Sequence, residues 1–312
     1  MQKIFTNWQP FHNELFGEHT VNLGHSLSDS GLFSDDALAD LIERTPRHSY
    51  HVSTMDPESH DPRSRREGTI DGLSGHQTLR AIRNGHIWLN LRDAADCNPA
   101  YGDLLQQIYD ELEERTGVKT FKQKMTILIS SPNVHVGYHS DVPGQTLWQV
   151  RGTKRVYLYP NKAPFLPQPQ LEKILLGEAH EVSLEFEPWF DDHAEIVDLE
   201  PGRMLTWPHN APHRVVNHDC LNISVTTEHW TAPLRNAYAV NYANGLMRSW
   251  TGAKSLSQAS DDLGVYPKLA LAAAHKLAGF QKLRRHSFKI DFSVDPEAPL
   301  GFVDIPPTEF VK

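Results

Sequence analysis

His139 and Asp141 stand two residues apart, and His213 follows 72 residues after Asp141, in the setting Pro201-Gly-Arg-Met-Leu-Thr-Trp207-Pro-His-Asn-Ala-Pro-His213. Two imidazoles and one carboxylate can hold a catalytic ferrous ion on one face and leave the opposite positions open. Residues i and i+2 of a strand point to the same side, so His139 and Asp141 can chelate one ion together. His213 must then arrive from a distant strand. A rolled-up β fold supplies one by making an early and a late strand neighbours across a barrel mouth.

His-x-Asp is a common pattern in a chain with 18 His, so the surrounding residues carry the argument. His135 lies four residues before His139, roughly 13 Å along a strand and too far to share an ion. An outer supporting role or a substrate contact stays open to it. His209 follows Pro208 in a loop, whereas His213 leads into the strand-like Arg214-Val-Val, which favours His213 as the third ligand.

The segment after the pair, Gln145 to Pro160, reads as strand, turn at Arg151-Gly-Thr153, and strand. By period two, Lys154 shares a face with Val156 and Leu158. A lysine at the end of an apolar face either meets an anion or reaches past the rim to water, because an isolated buried charge is costly. Both readings stay open on the spacing alone.

His139-x-Asp141, Lys154 fifteen residues beyond His139, the phrase Val150-Arg-Gly-Thr-Lys154-Arg-Val-Tyr-Leu-Tyr-Pro160, the Pro201-Gly202 turn with Trp207-Pro208, His213 and Trp230 together resemble a known family. It is that of the JmjC/cupin-like iron(II)- and 2-oxoglutarate-dependent oxygenases, especially the bacterial cupin-like proteins and the asparaginyl-hydroxylase branch. The resemblance covers roughly residues 80 to 230. It implies a mainly β fold, a double-stranded β-helix of the jelly-roll or cupin type, with N-terminal α/β elements and C-terminal helices. It also implies iron(II) on His139, Asp141 and His213, 2-oxoglutarate and dioxygen as cosubstrates, and Lys154 paired with the far carboxylate of 2-oxoglutarate. Thr126 becomes the hydroxyl partner of that carboxylate. Gln145 and Glu228 stand where the asparaginyl hydroxylases carry asparagine, which leaves open what holds the metal-side carboxylate. Halogenating relatives replace the metal carboxylate with a small residue, so Asp141 points to a hydroxylase or demethylase, and hydroxylation of a C–H bond with release of succinate and carbon dioxide is the expected reaction.

Tyr138 and Trp148 are aromatic candidates for a substrate pocket, with Glu228 a polar one. Small molecules and peptides are the expected substrates. Two rivals are a cupin metalloenzyme working without 2-oxoglutarate and a non-catalytic cupin-like metal or ligand sensor. Neither needs an inward lysine.

The elements that must position these residues are legible in part. Ser34 caps a helix over 35–44, and Ser74 with Gln77 forms a capping box before a helix through Asn84. His86–Leu91 is a strand, and Tyr101–Thr116 an amphipathic helix closed by Gly117. Residues 1–120 are expected to pack on a core at 121–232. Within that core Glu195–Leu199 and Met204–Trp207 form a hairpin around Pro201-Gly202. On the last strand, Leu221 to Trp230, the side carrying Asn222, Ser224, Thr226 and Glu228 faces either solvent or a cavity. Residues 233–312 read as a helical extension, with helices between Leu234 and Trp250 and over Pro267–Leu283, serving as a lid, a packing layer or a homodimer interface. The Pro- and Ser-rich stretch 54–71 is a gating loop or a plain connection.

A chain of 312 residues with net charge −9 disfavours adhesion to nucleic-acid phosphates, and the short basic runs Arg63–Arg66 and Lys282–Arg285 read as solvated faces. Cys97 and Cys220 are too few for a disulfide framework or a zinc site. Neither a membrane-length apolar run nor a leader-like N-terminus is evident, so a cytoplasmic location with no membrane partner is expected.

Overall fold

The computed structural model describes residues 3–56, 64–279 and 287–311. Its strands are β1 (Val21–Gly24), β2 (Tyr50–Thr54), β3 (Arg66–Thr69), β4 (Trp88–Leu91), β5 (Phe121–Ser130), β6 (His135–His139) and β7 (Gly144–Arg151), then β8 (Lys154–Leu158), β9 (Glu195–Leu199), β10 (Arg203–Thr206), β11 (His213–Asn217), β12 (Asn222–Trp230), β13 (Ser287–Val294) and β14 (Phe302–Val311). Among the described residues they form a ten-stranded sheet, ordered β1-β10-β7-β12-β5-β4-β2-β3-β13-β14, and a four-stranded sheet, ordered β6-β11-β8-β9. This is the mainly β, double-stranded β-helix architecture that the sequence implied.

From β5 to β8 the chain alternates between the sheets at every turn. The turn at Arg151-Gly152-Thr153 is therefore a corner and not a paired hairpin. Gly152 has φ of +72°, and a Cβ there would fall 2.3 Å from the Leu221 carbonyl oxygen, so only glycine fits. The hairpin expected around Pro201-Gly202 is corrected in the same way. β9 pairs with β8 in the small sheet, while β10 pairs with β7 and β1 in the large one. Both turns have suitable residues, but the apolar faces of the two layers can meet only if the strands on either side separate.

Strand parity divides the large sheet cleanly. Met125, Ile127, Ile129, Trp148, Met204, Ile223 and Val225 join the main core beneath the N-terminal helices. The opposite face looks across to the small sheet, where Leu147, Val156, Leu158, Leu199, Leu205 and Trp207 pack together. Thr126, Glu228, Gln145 and Lys154 lie on this inner side and line a cavity of about 380 Å³. The polar face of β12 is thus a cavity wall at Thr226 and Glu228.

The helices are α1 (His12–Leu15), α2 (Asp35–Arg44), α3 (Gly75–Asn84), α4 (Ala94–Cys97), α5 (Pro99–Thr116), α6 (Gln168–Leu175), α7 (Ala232–Thr251) and α8 (Val265–Leu277). Ser34 accepts from the Ala37 amide, Ser74 and Gln77 close a capping box, and Gly117 ends α5 with φ of +69°. Two expectations need correction. The N-terminal strands do more than pack outside the core, because β4 pairs with β5 and continues the large sheet through β2 and β3. The C-terminal region is not only helical, since β13 pairs in parallel with β3 and carries β14 on its far side. Residues 57–63 of the expected loop, Arg63, Lys282–Arg285 and the end of the expected helix past 279 lie outside the described residues. No described helix is long and apolar enough to cross a membrane.

Candidate metal centre

β6 and β11 are antiparallel neighbours whose register sets His139 opposite His213. The two rings lie 4.1 Å apart between centroids, and Asp141 brings Oδ2 to 3.3 Å from Nε2 of His213. One ligand atom from each of the three residues lies within 4.8 Å of the others, close enough to surround a single ion.

Backbone contacts fix the imidazole tautomers. Nδ1 of His139 is 2.8 Å from the Gly137 carbonyl oxygen, and Nδ1 of His213 is 3.2 Å from that of Ala211. A carbonyl only accepts, so Nδ1–H donates in both rings and each Nε2 presents a lone pair. Burial, reinforced by the neighbouring His139, holds His213 well below the ordinary imidazole range and so keeps it in the neutral, ligating form. Burial pushes the Asp141 carboxyl upward, opposed by His139 and by a hydrogen bond from the Gln145 side chain. The donor set, the bare Nε2 atoms and the half-buried carboxylate fit a divalent metal.

The turn between β10 and β11 is pinned to the ligand-bearing segment. Asn210, in the left-handed region at φ of +60°, donates from Nδ2 to the Asp141 carbonyl oxygen at 2.7 Å. Ser140 Oγ donates to the Asn210 carbonyl oxygen at 2.8 Å. Nε2 of His209 lies 2.8 Å from the Val142 carbonyl oxygen, which commits that ring to the backbone and leaves His213 as the ligand. Trp207 packs its ring 4.5 Å from that of His213. His135 lines the same cavity, on the strand that carries His139.

Lys154 is 4 % exposed and lines the cavity, so it does not reach past the rim to water. Burial lowers its pKa to about 8, and no carboxylate among the described residues pairs with it. On the β8–β11 ladder it stands opposite Asn217, four residues from the His213–Leu158 pair. That separation is about 13 Å along the strands. It is a gap that a lysine side chain and a five-carbon dicarboxylate can share.

Thr126, Gln145 and Glu228 line the cavity as well, but two expected substrate residues do not. Tyr138 lies on the face of β6 opposite His139, donates to the Phe165 carbonyl oxygen at 2.8 Å and packs with Tyr159 and Phe165. Trp148 is 1 % exposed in the main core and donates from Nε1 to Thr227 Oγ1 at 3.0 Å. Parity from Gln145, at the start of the same strand, would have turned Trp148 away from the metal.

The structure also brings in residues that the sequence reading passed over. Trp88, Asn90 and Arg92 share one side of β4 and its end, and all three line the cavity. Their alternation along a strand was the available signal. Glu181 enters from a short 3-10 helix, Glu181–Ser183, for which no periodic signal exists. Burial, then repulsion from Asp141 and Glu228, pushes the Glu181 carboxyl up to about 8, and burial and Asp141 raise Glu228 too.

Residues 35–232 match the cupin-like domain family. No curated protein matches the chain. Among solved structures, the ribosomal oxygenase YcfD of Escherichia coli in complex with cobalt and 2-oxoglutarate is 15 % identical, with 93 % of this chain and 74 % of that chain covered and a TM-score of 0.49. A second structure of E. coli YcfD is 14 % identical, with 88 % of this chain and 68 % of that chain covered and a TM-score of 0.49.

Proposed function

Because the chain belongs to the cupin-like domain family, we propose that it is an iron(II)- and 2-oxoglutarate-dependent oxygenase that hydroxylates a C–H bond of a small molecule or peptide. One observation carries the reading. A single cavity holds the open His139–Asp141–His213 face and a buried lysine with no described carboxylate to meet it. When bound, iron and 2-oxoglutarate together activate dioxygen, converting the cosubstrate to succinate and carbon dioxide and supplying one oxygen atom to the substrate.

The chain's own residues hold and shield that chemistry. His139 and His213 offer Nε2 and Asp141 a carboxylate oxygen, while Gln145 steadies Asp141 through its hydrogen bond. Lys154 ion-pairs with the far carboxylate of the cosubstrate, and Thr126 on the same cavity wall offers it a hydroxyl. Leu147 and Trp207 line the cavity and, backed by Leu205, form an apolar wall that keeps bulk water from the metal face. A cosubstrate-free cupin enzyme or a metal sensor gives no reason to bury Lys154.

Anaerobic titration with iron(II) and then 2-oxoglutarate tests the reading. The expected result is a visible charge-transfer band that Lys154→Ala and His213→Ala both abolish. Metal binding without that band would move the assignment to a cosubstrate-free cupin enzyme or a sensor.

The homodimer expectation is supported by Trp250, Leu263 and Tyr266 around the α7–α8 connection and Leu277 at the far end of α8, all large apolar side chains that are exposed. Sedimentation of the full chain tests it, and a monomer at tens of micromolar would remove it.

A further inference from the structure

Arg65 and Trp88 both line the metal cavity and are joined through Ser53. Trp88 stands opposite Ser53 on the β2–β4 ladder, and Arg65 donates from Nε and Nη2 to Ser53 Oγ at 3.1 and 3.0 Å. Trp88 is 7 % exposed and packs with Met55 and Val134, yet its indole N–H meets no acceptor among the described residues. The one fully enclosed side-chain atom without a partner among those residues is Asn244 Oδ1, so the Trp88 N–H is not sealed off and opens to the cavity.

Arg65 has spare capacity of the same kind. Its Nη1 meets no described acceptor, and its Nη2 lies 3.4 Å from Glu67. Nη2 of Arg47 lies 4.0 Å from the same carboxylate, whose oxygens also take His51 at 2.8 Å and Ser53 at 3.1 Å. One carboxylate thus serves two guanidinium groups, and one positive charge is left over on this wall beside an unmet N–H. The other cavity carboxyls do not cancel it. Glu181 and Glu228 bear on Asp141, neither forms an ion pair with Arg65, and Glu181 holds its proton near neutrality. Nor does the cosubstrate reach it in the arrangement proposed above. Trp88 stands opposite Ser130 on β5, four residues and about 13 Å from Thr126. A guanidinium edge next to an N–H is a donor set for a carboxylate or phosphate oxygen, with the fork adding geometry to charge.

We propose that Arg65 and Trp88 bind an anionic group of the substrate, so that the compound oxidised at the metal is a carboxylic acid or a phosphate ester held to the β2–β4 wall by its oxyanion. The inference rests on the oxygenase reading for taking this ligand as the substrate, but its main test needs neither metal nor cosubstrate.

Calorimetric titration of the full chain at pH 7 compares N-acetylglycine with its neutral counterpart N-acetylglycinamide, and methyl phosphate as the phosphate arm. At least one anion is expected to bind about tenfold or more tightly than the amide, the discrimination typical of a charged hydrogen bond. Arg65→Gln should remove most of that preference, and Trp88→Phe, which keeps a ring and loses the N–H, should cut it by about threefold or more. Lys154 is present in every chain compared, so its share cancels. Equal binding of anion and amide, no measurable binding of either anion at millimolar concentration, or a preference untouched in folded Arg65→Gln would overturn the proposal. If Arg65→Gln fails to fold, a preference untouched in Trp88→Phe overturns it instead. A tenfold loss of 2-oxoglutarate affinity in Arg65→Gln would give these donors to the cosubstrate and overturn it as well. An anion preference without the iron charge-transfer band would keep the receptor and discard the oxygenase. The band without the preference would do the reverse.

Discussion

Lys154 and His213 stand on adjacent strands, β8 and β11, four residues apart along one ladder and lining one cavity. The lysine is charged at a cost. Burial takes its pKa from an ordinary 10.5 to about 8, a displacement worth at most roughly 3 kcal/mol. Below pH 8 the lysine is protonated whether the chain is folded or unfolded, so the full penalty applies. Between about 8 and 10.5 the folded form sheds its proton and the penalty fades. Lys154→Met should therefore stabilise the unliganded protein at pH 7 by up to about 3 kcal/mol, and by less at pH 9.5. Urea denaturation at the two pH values checks this, and a less stable variant at pH 7 would contradict it.

The same titration governs cosubstrate binding. Only the protonated lysine meets a carboxylate, so affinity for 2-oxoglutarate should be flat below pH 8. It should then fall by about tenfold per pH unit above it, as binding must take up a proton. Equilibrium titration of the iron-loaded protein across pH 6.5–9.5 reads the profile. A flat profile to pH 9.5 would place the anion elsewhere.

Metal binding should stabilise the fold in proportion to occupancy. A divalent ion at a hundred times its Kd adds about 2.7 kcal/mol. Thermal denaturation with and without a chelator should show that increment in wild type and in His209→Ala. His213→Ala and Asp141→Ala should lose it. Retention in His213→Ala would dismantle the triad.

Asn210 holds the ligand segment by a 2.7 Å bond to the Asp141 carbonyl oxygen from a left-handed backbone. Asn210→Ala loses the bond and keeps the strain, for about 2 kcal/mol, whereas Asn210→Gly loses only the bond. Both should weaken metal affinity by about 10–100-fold, as losses of outer-shell support do. Unchanged affinity in both would show that the turn is held by other contacts.

Trp148 lies in the main core, so Trp148→Phe should lower stability by about 1–3 kcal/mol through a lost hydrogen bond and a small cavity. Affinities for metal and 2-oxoglutarate should not move. A selective loss of cosubstrate affinity at unchanged stability would return Trp148 to the site.

What the sequence determined by itself was local. The face that Lys154 shares with Val156 and Leu158, the caps at Ser34 and Ser74 and the glycine stop at Gly117 all follow from period two, helical spacing and backbone sterics within a few residues, whereas β6 ends at His139 and Asp141 lies just past it, outside the strand that parity assumed. Parity would also have turned Tyr138 and Trp148 away from the metal had it been applied to them. Tertiary structure decided the rest. Two turns with hairpin chemistry, at Gly152 and Gly202, carry the chain between sheets because the layers' apolar faces must meet. β13 and β14 join the large sheet next to β3 through pairing between distant parts of the chain. Glu181, from an aperiodic segment, reaches the metal cavity because the small sheet places that segment beside β6. Pairing partners and the composition of a cavity wall depend on packing between distant segments, and no local period encodes them.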